Sequence, residues 1–198
     1  LRATLAHVAD LERLGNRTVS GRATPRELIA LRAGLAAVPS LCESLREAPQ
    51  ELIAGLRPLP DVVGILTDAL PDEAEAPGQD GVIRPGFSEE LDALRTRARE
   101  ARQYLADLER RERDRTGIKS LKVGYNRVFG YYLEISRANL HAVPEDYIRK
   151  QTLTEAERFY TPELKEYESL VLTAGERIAE LEESVFRRLC EQVAGHIE

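Results

Sequence analysis

The sequence has no apolar run near the ~18 residues a membrane helix needs, and its first residues do not resemble a signal peptide. A membrane partner and a secretory route are therefore not expected. Cysteine is almost missing. The 198 residues hold two, Cys42 and Cys190. Both fall in apolar helical patterns, which suits buried thiols in a reducing cytosol better than a disulfide or a metal site. There is no Cys-x-x-Cys pair, and His7, His141 and His196 stand apart from any partner at metal-ligand spacing. No Gly-x-x-x-x-Gly-Lys-Ser/Thr loop is present to cradle a nucleotide, and no Gly-x-Ser-x-Gly elbow to carry a nucleophile. The acidic pairs Glu89-Glu90 and Glu182-Glu183 lie on polar faces of amphipathic patterns, where solvated charge is the expected role. No catalytic residue, metal or cofactor is expected in this stretch.

What remains is helical pattern and an unusual charge distribution. The net charge of −6 argues against a whole-chain nucleic-acid coat. From Thr116 to Thr161, however, seven basic residues face five acidic ones, so this segment carries +2 and the remainder −8. A locally positive module on an acidic frame suits a polyanion met by one part only.

Leu1, Leu5, Val8 and Leu11 already follow a helical stripe, so residues 1–20 read as the continuation of a helix, and the chain as a piece of a longer protein. Thr24-Pro25-Arg26-Glu27 is a strong helix start, with a capping threonine, a first-turn proline and a glutamate that completes a capping box. That helix is expected to stop before Pro39, with Ser40 capping another through about Leu56. A further apolar run spans Val62 to Leu70, and Pro71 to Gly86 reads as a loop. Ser88 then opens a longer pattern. Leu91, Leu94, Ala98, Ala101, Leu105 and Leu108 step by three and four, and Gly117 is a fitting stop. A matching run begins at Thr161-Pro162. Its seam is Leu164, Tyr167, Val171, Ala174, Ile178, Leu181, Val185 and Leu189. Two long seams that each need a partner are expected to pack antiparallel, with the intervening ~45 residues at their tip.

Those intervening residues have strand character. Leu121–Tyr125 and Gly130–Ile135 are rich in β-branched and aromatic residues, and Asn126-Arg127-Val128-Phe129 makes the connection. It is not an Asn-Gly turn, so a longer or bulged hairpin is expected. Pro144–Tyr147 reads as a turn, and Gln151–Thr154 and Arg158–Tyr160 as further short strands. The expected fold is mainly α with a small β insertion: a helical body, two long antiparallel helices and an antiparallel β module at their tip. The expected division is 1–117, 118–160 and 161–198.

Non-specific nucleic-acid binding requires basic side chains, plus amide and hydroxyl donors at turns. Asn126 and Arg127 at the hairpin turn supply them, as do Arg149, Lys150, Gln151, Thr152 and Thr154 after the Pro144 turn. Tyr125, Phe129, Tyr131 and Tyr132 could stack on single-stranded bases, or serve as the core of the small sheet. For Tyr131 and Tyr132, pleat alternation turns only one inward.

Several long motifs stand in one order: Gly117-Ile118-Lys119-Ser120-Leu121-Lys122-Val123-Gly124-Tyr125-Asn126, Phe129-Gly130-Tyr131-Tyr132, Tyr147–Leu153, Ala156–Phe159 and Thr161–Glu168. They resemble the clamp and returning lever of the MutS family of DNA mismatch repair proteins. Asp10–Leu14, Gly21–Leu28 and Ile83–Gly86 resemble the core domain of that family. The resemblance implies a lever and clamp fragment that touches the backbone of double-stranded DNA without reading its sequence. It implies a longer cytoplasmic, nucleoid-associated bacterial parent: a homodimer, a DNA-dependent ATPase that uses ATP and Mg in a domain absent here, and a partner of MutL. By position, Asn126 matches a family backbone contact. A second contact region follows Gln151-Thr152-Leu153. There this chain has Thr154-Glu155 where many members carry a basic residue and an asparagine, and Glu155 would repel a phosphate. The alternative is a protein-docking or purely structural arm.

Overall fold

The computed structural model describes residues 8–46, 55–72 and 81–197. It divides into two compact units, Leu1–Glu89 with Glu180–Glu198, and Glu90–Ala179.

The first unit is helical. Helix α1 (Leu11–Val19) begins where the Asp10 carboxylate accepts the Arg13 N–H at 3.0 Å. This corrects the helix expected from residue 1. Val8 and Ala9 are not helical, and Leu1 and Leu5 lie outside the described residues. An aspartate here serves better as a cap, satisfying an orphan donor, than inside a helix. Helix α2 (Pro25–Ser44) has the expected capping box: the Glu27 carboxylate accepts the Thr24 N–H at 2.9 Å. That bond first, and Arg17 beside it at 2.7 Å, pull the Glu27 carboxyl from 4.5 to about 2.

Pro39 does not end this helix. One helix passes through it, and none starts at Ser40. Pro39 is exposed while Val38 and Leu41 beside it are buried. The helix therefore forgoes one backbone bond there, and burial on its inner face offsets the loss. The expected continuation toward Leu56 falls partly on residues outside the described set, and Gly55 and Leu56 are not helical. Helix α3 (Pro60–Ala69) follows as expected. Buried Arg32 closes its end, donating to the Leu70 carbonyl at 3.1 Å and the Pro71 carbonyl at 2.8 Å. Glu182 is not the solvated charge expected of it. Its carboxylate accepts the N–H groups of Val82 and Ile83 at 2.7 and 2.9 Å.

The second unit joins a sheet to two helices. Helix α4 (Glu89–Thr116) buries Leu91, Ala98, Ala101, Leu105 and Leu108 of the expected seam, and Tyr104 beside it. Gly117 ends it at φ +72°, in the left-handed region that suits glycine. Helix α5 (Pro162–Ile197) begins in this unit and ends in the other. Between them lie strands β1 (Lys122–Asn126), β2 (Gly130–Ser136), β3 (Ile148–Thr152) and β4 (Ala156–Tyr160). All pairings are antiparallel, in the order β1-β2-β4-β3. A 3₁₀ segment, Arg137–Ala142, follows β2 and was not anticipated.

Leu133 pairs with Val123 and with Phe159, so one face gathers the apolar residues. They pack with Leu105, Leu108, Ile118, Leu121, Ile135, Tyr147 and Leu164 into one core. Tyr104 of α4 and Tyr167 of α5 stack over it with ring centroids 3.9 Å apart. The chain thus enters this core by the end of α4 and leaves by the start of α5. Pleat alternation divides the tyrosine pair as expected: Tyr131 packs against the core, while Tyr132 faces away under the Arg158 guanidinium, 4.2 Å from its ring. The register sets the two hairpin turns at opposite ends of the sheet. Arg127–Phe129 adjoins Gly130, whereas Thr154–Glu155 adjoins Ala156, which pairs with Ser136.

Candidate nucleic-acid interface

Three residues, Arg127–Phe129, turn β1 into β2. The Asn126 Oδ1 accepts the Val128 N–H at 2.8 Å, an Asx turn that closes the loop and leaves the amide NH2 as a donor. Arg127 is exposed and has neither an ion-pair nor a hydrogen-bond partner among the described residues. Around it lie Tyr125, Val128 and Phe129, 52%, 81% and 40% exposed. The turn therefore presents a cation and an amide donor above an apolar rim.

Helix α5 holds the base of this turn. Glu168 is almost fully buried, and its Oε1 accepts the Tyr131 N–H at 3.0 Å. Lys165 pairs with the same carboxylate and donates to the Phe129 carbonyl at 3.0 Å. Lys150 donates to that carbonyl as well, at 2.8 Å. Gly130 fits here for two reasons. Its φ is +75°, and a Cβ on it would lie 1.6 Å from the Glu168 Oε1. Burial, and then the Lys165 charge, hold the Lys150 ammonium below its ordinary pKa. Lys150 is thus engaged with the turn and is less available to an external anion.

Helix α4 holds the other side. Edge strand β1 donates its Val123 N–H to Glu109 at 3.0 Å, and the carbonyl of its neighbour Leu121 accepts from the Arg113 Nε at 2.7 Å. Glu112 accepts the Tyr147 hydroxyl at 2.6 Å, and Arg115 bridges Glu112 to Asp146 at 2.8 and 3.1 Å. Burial, with Glu112 next, pushes the Tyr147 hydroxyl well above its usual pKa. These are charge-assisted bonds to backbone and buried groups, stronger than neutral ones.

The seven residues expected to touch a nucleic acid do not form one patch. Asn126, Arg127 and Lys150 meet at the first turn. Arg149 lies against buried Glu157, its Nε 2.7 Å from Oε2, a close ion pair without hydrogen-bond alignment. Gln151 accepts from Arg158 at 3.0 Å, and Arg158 also donates to Glu134 at 2.9 Å. Thr152 and Thr154 are exposed toward the opposite end, with exposed Glu155 and Arg137. Sequence reading missed Glu168, Lys165, Glu109 and Glu112. A signal was present: Glu109, Glu112 and Glu168 stand four residues after the apolar seam positions Leu105, Leu108 and Leu164, where a charge must find a partner.

Residues 86–177 match the family described as MutS family domain IV. The chain is 48% identical over 200 residues to the DNA mismatch repair protein MutS of Dehalococcoides mccartyi strain CBDB1, covering 98% of the chain and 23% of that protein. It is 47% identical over 199 residues to that of Thermotoga neapolitana, covering 100% of the chain and 25% of that protein. With that of Methanococcoides burtonii it is 44% identical over 205 residues, covering 99% and 23%. The chain spans about a quarter of the length of these curated relatives.

Proposed function

This chain belongs to the MutS family, and on that footing we propose that it serves DNA mismatch repair as the stretch that touches the phosphates of double-stranded DNA. In this reading α4 and α5 are levers and the four-stranded sheet is the clamp they carry. The observation that carries it is Arg127, an exposed cation without a partner among the described residues, on a turn tied to a helix. A phosphate gains most from a donor whose position is already set, because little side-chain and backbone freedom is then lost on contact. Asn126 adds an uncharged donor. The second turn adds the Thr152 and Thr154 hydroxyls, with Glu155 opposing them. Contacts to phosphates alone carry no sequence information, so in this reading the contact is indifferent to sequence. The rest of the family's work belongs to a longer parent: a second subunit, ATP and Mg in another domain, and MutL.

The test is fluorescence anisotropy of labelled duplexes against the whole chain over a salt series. Two or three phosphate contacts give a log K against log salt slope of roughly −2 to −3, taking ~0.9 per contact. Unrelated duplexes should bind equally, and single strands no better. Arg127→Ala should flatten the slope by about 0.9. The apolar rim of Tyr125, Val128 and Phe129 favours a second reading, in which the turn docks a protein. Binding that ignores salt, or an unchanged slope in Arg127→Ala, would replace the first reading with the second.

A further inference from the structure

We infer that Glu168 of α5 is a positioning residue for the DNA-touching turn, so that Arg127 is presented only while this carboxylate holds the turn's base. The inference rests on the phosphate contact proposed above and adds the device that controls it. Four observations converge. The Glu168 carboxylate, almost fully buried, accepts the N–H of Tyr131, the second residue of β2. The ammonium that neutralises it, Lys165, sits three residues earlier on the same helix and also takes the turn's last carbonyl, that of Phe129. Lys150 takes that carbonyl from the far edge strand. Gly130 lacks the Cβ that would fill the space the carboxylate occupies.

Both backbone groups flanking Gly130 are therefore bonded to α5 side chains, and Arg127 lies three residues away. The sheet itself does not require this. The β2 strand is already fixed by its ladders to β1 and β4. What the carboxylate adds is a tie between one helix and the turn, and a rotation of α5 about its axis would be carried to Arg127. Without the carboxylate, and the Lys165 it pairs with, the turn keeps its two strand ends and the Lys150 contact to Phe129, and Arg127 samples more directions.

The experiment is a double-mutant cycle on the whole chain, with duplex anisotropy at low salt and amide exchange at Tyr131 followed by NMR. Arg127→Ala should weaken the parent about fivefold, the order of one screened phosphate contact. In a Glu168→Ala background it should weaken binding less than twofold, because Arg127 is no longer aimed. Glu168→Gln keeps an acceptor for the Tyr131 N–H and should restore most of the Arg127 effect. Tyr131 exchange should quicken at least tenfold in Glu168→Ala and return toward the parent in Glu168→Gln. Additive losses in the cycle, with Glu168→Gln no better than Glu168→Ala, would make Glu168 a general stabiliser and overturn the inference. Unchanged Tyr131 exchange would overturn it whatever the DNA result. If the parent itself shows no salt-dependent binding, the proposed function fails, and the exchange arm alone decides whether the tie exists. Should Glu168→Ala not fold, Glu168→Met keeps the bulk of the side chain while removing the acceptor for the Tyr131 N–H, and the same cycle applies.

Discussion

Replacing Gly130 by alanine should cost far more than replacing Gly117, although both glycines have φ above +70°. For Gly117 a Cβ meets nothing within 4 Å. The cost is then the left-handed backbone alone, about 1–2 kcal/mol. At Gly130 the new methyl would lie 1.6 Å from the Glu168 Oε1. That oxygen ends a flexible side chain, so it moves aside and gives up the Tyr131 N–H. Losing a hydrogen bond to a charged group costs about 1.5–3 kcal/mol, which with the backbone cost makes roughly 2.5–5 kcal/mol for Gly130→Ala. The assay follows from the composition. The chain has no tryptophan, and all seven tyrosines lie between Tyr104 and Tyr167. Near-ultraviolet circular dichroism therefore reports the second unit almost alone. In a urea titration the Gly130→Ala midpoint should fall by about 1–2.5 M, for a slope of ~2 kcal/mol per molar. Gly117→Ala should fall by about two-fifths of that. Equal shifts would mean that Glu168 contributes nothing at the turn, and the reasoning from its geometry would fail.

The first unit carries a pH signature. The Glu27 carboxyl is held at about 2 in the fold, below its ordinary 4.5, so its charged form favours folding. This contribution is complete above pH 4.5 and is lost as pH falls toward about 2, and Glu27→Gln should flatten that part of a helicity-against-pH curve at 222 nm. Pro39→Ala should raise the thermal stability of α2, by about 1–3 kcal/mol, since it restores an N–H and removes a ring from a helix interior. Glu155→Lys should strengthen duplex binding and steepen the salt slope by about 0.9, because it exchanges a repelled charge for an attracted one beside Thr154. An unchanged slope there would confine the contact to the Arg127 turn.

Much of the fold was written in local chemistry. The Thr24–Glu27 box, the Gly117 stop, the two apolar seams and the split of Tyr131 from Tyr132 depend on neighbours within one turn or one strand, and periodicity exposes such relations. Pro39 misled because the proline rule weighs a lost backbone bond and not the burial of Val38 and Leu41 beside it. Asp10 misled because a stripe of leucines extends past a cap without betraying it. The turn carrying Asn126 and Arg127 was legible, because its polar residues stand between two strand-like runs. The candidate site was not legible at Arg149, Gln151 and Lys150, which looked like free donors because their partners, Glu157, Arg158 and the Phe129 carbonyl, come from another strand or the far turn. Glu168 was hidden for the same reason: its acceptor role exists only once a strand 37 residues away arrives beside it.

Helix α5 completes two compact bodies, and this has a consequence for how the chain comes into being. The unit of Glu90–Ala179 is continuous, so all its parts have been made once Ala179 is added. The other unit keeps its earlier helices waiting for Val185, Leu189 and Val193, across an interruption of ninety residues. Closing so long a loop is dearer in entropy if the interruption is still a coil than if it has already condensed. On a ribosome the inserted body should therefore form first and bring the two separated parts of its host together, so that damage to the sheet would surface as misfolding of the other body.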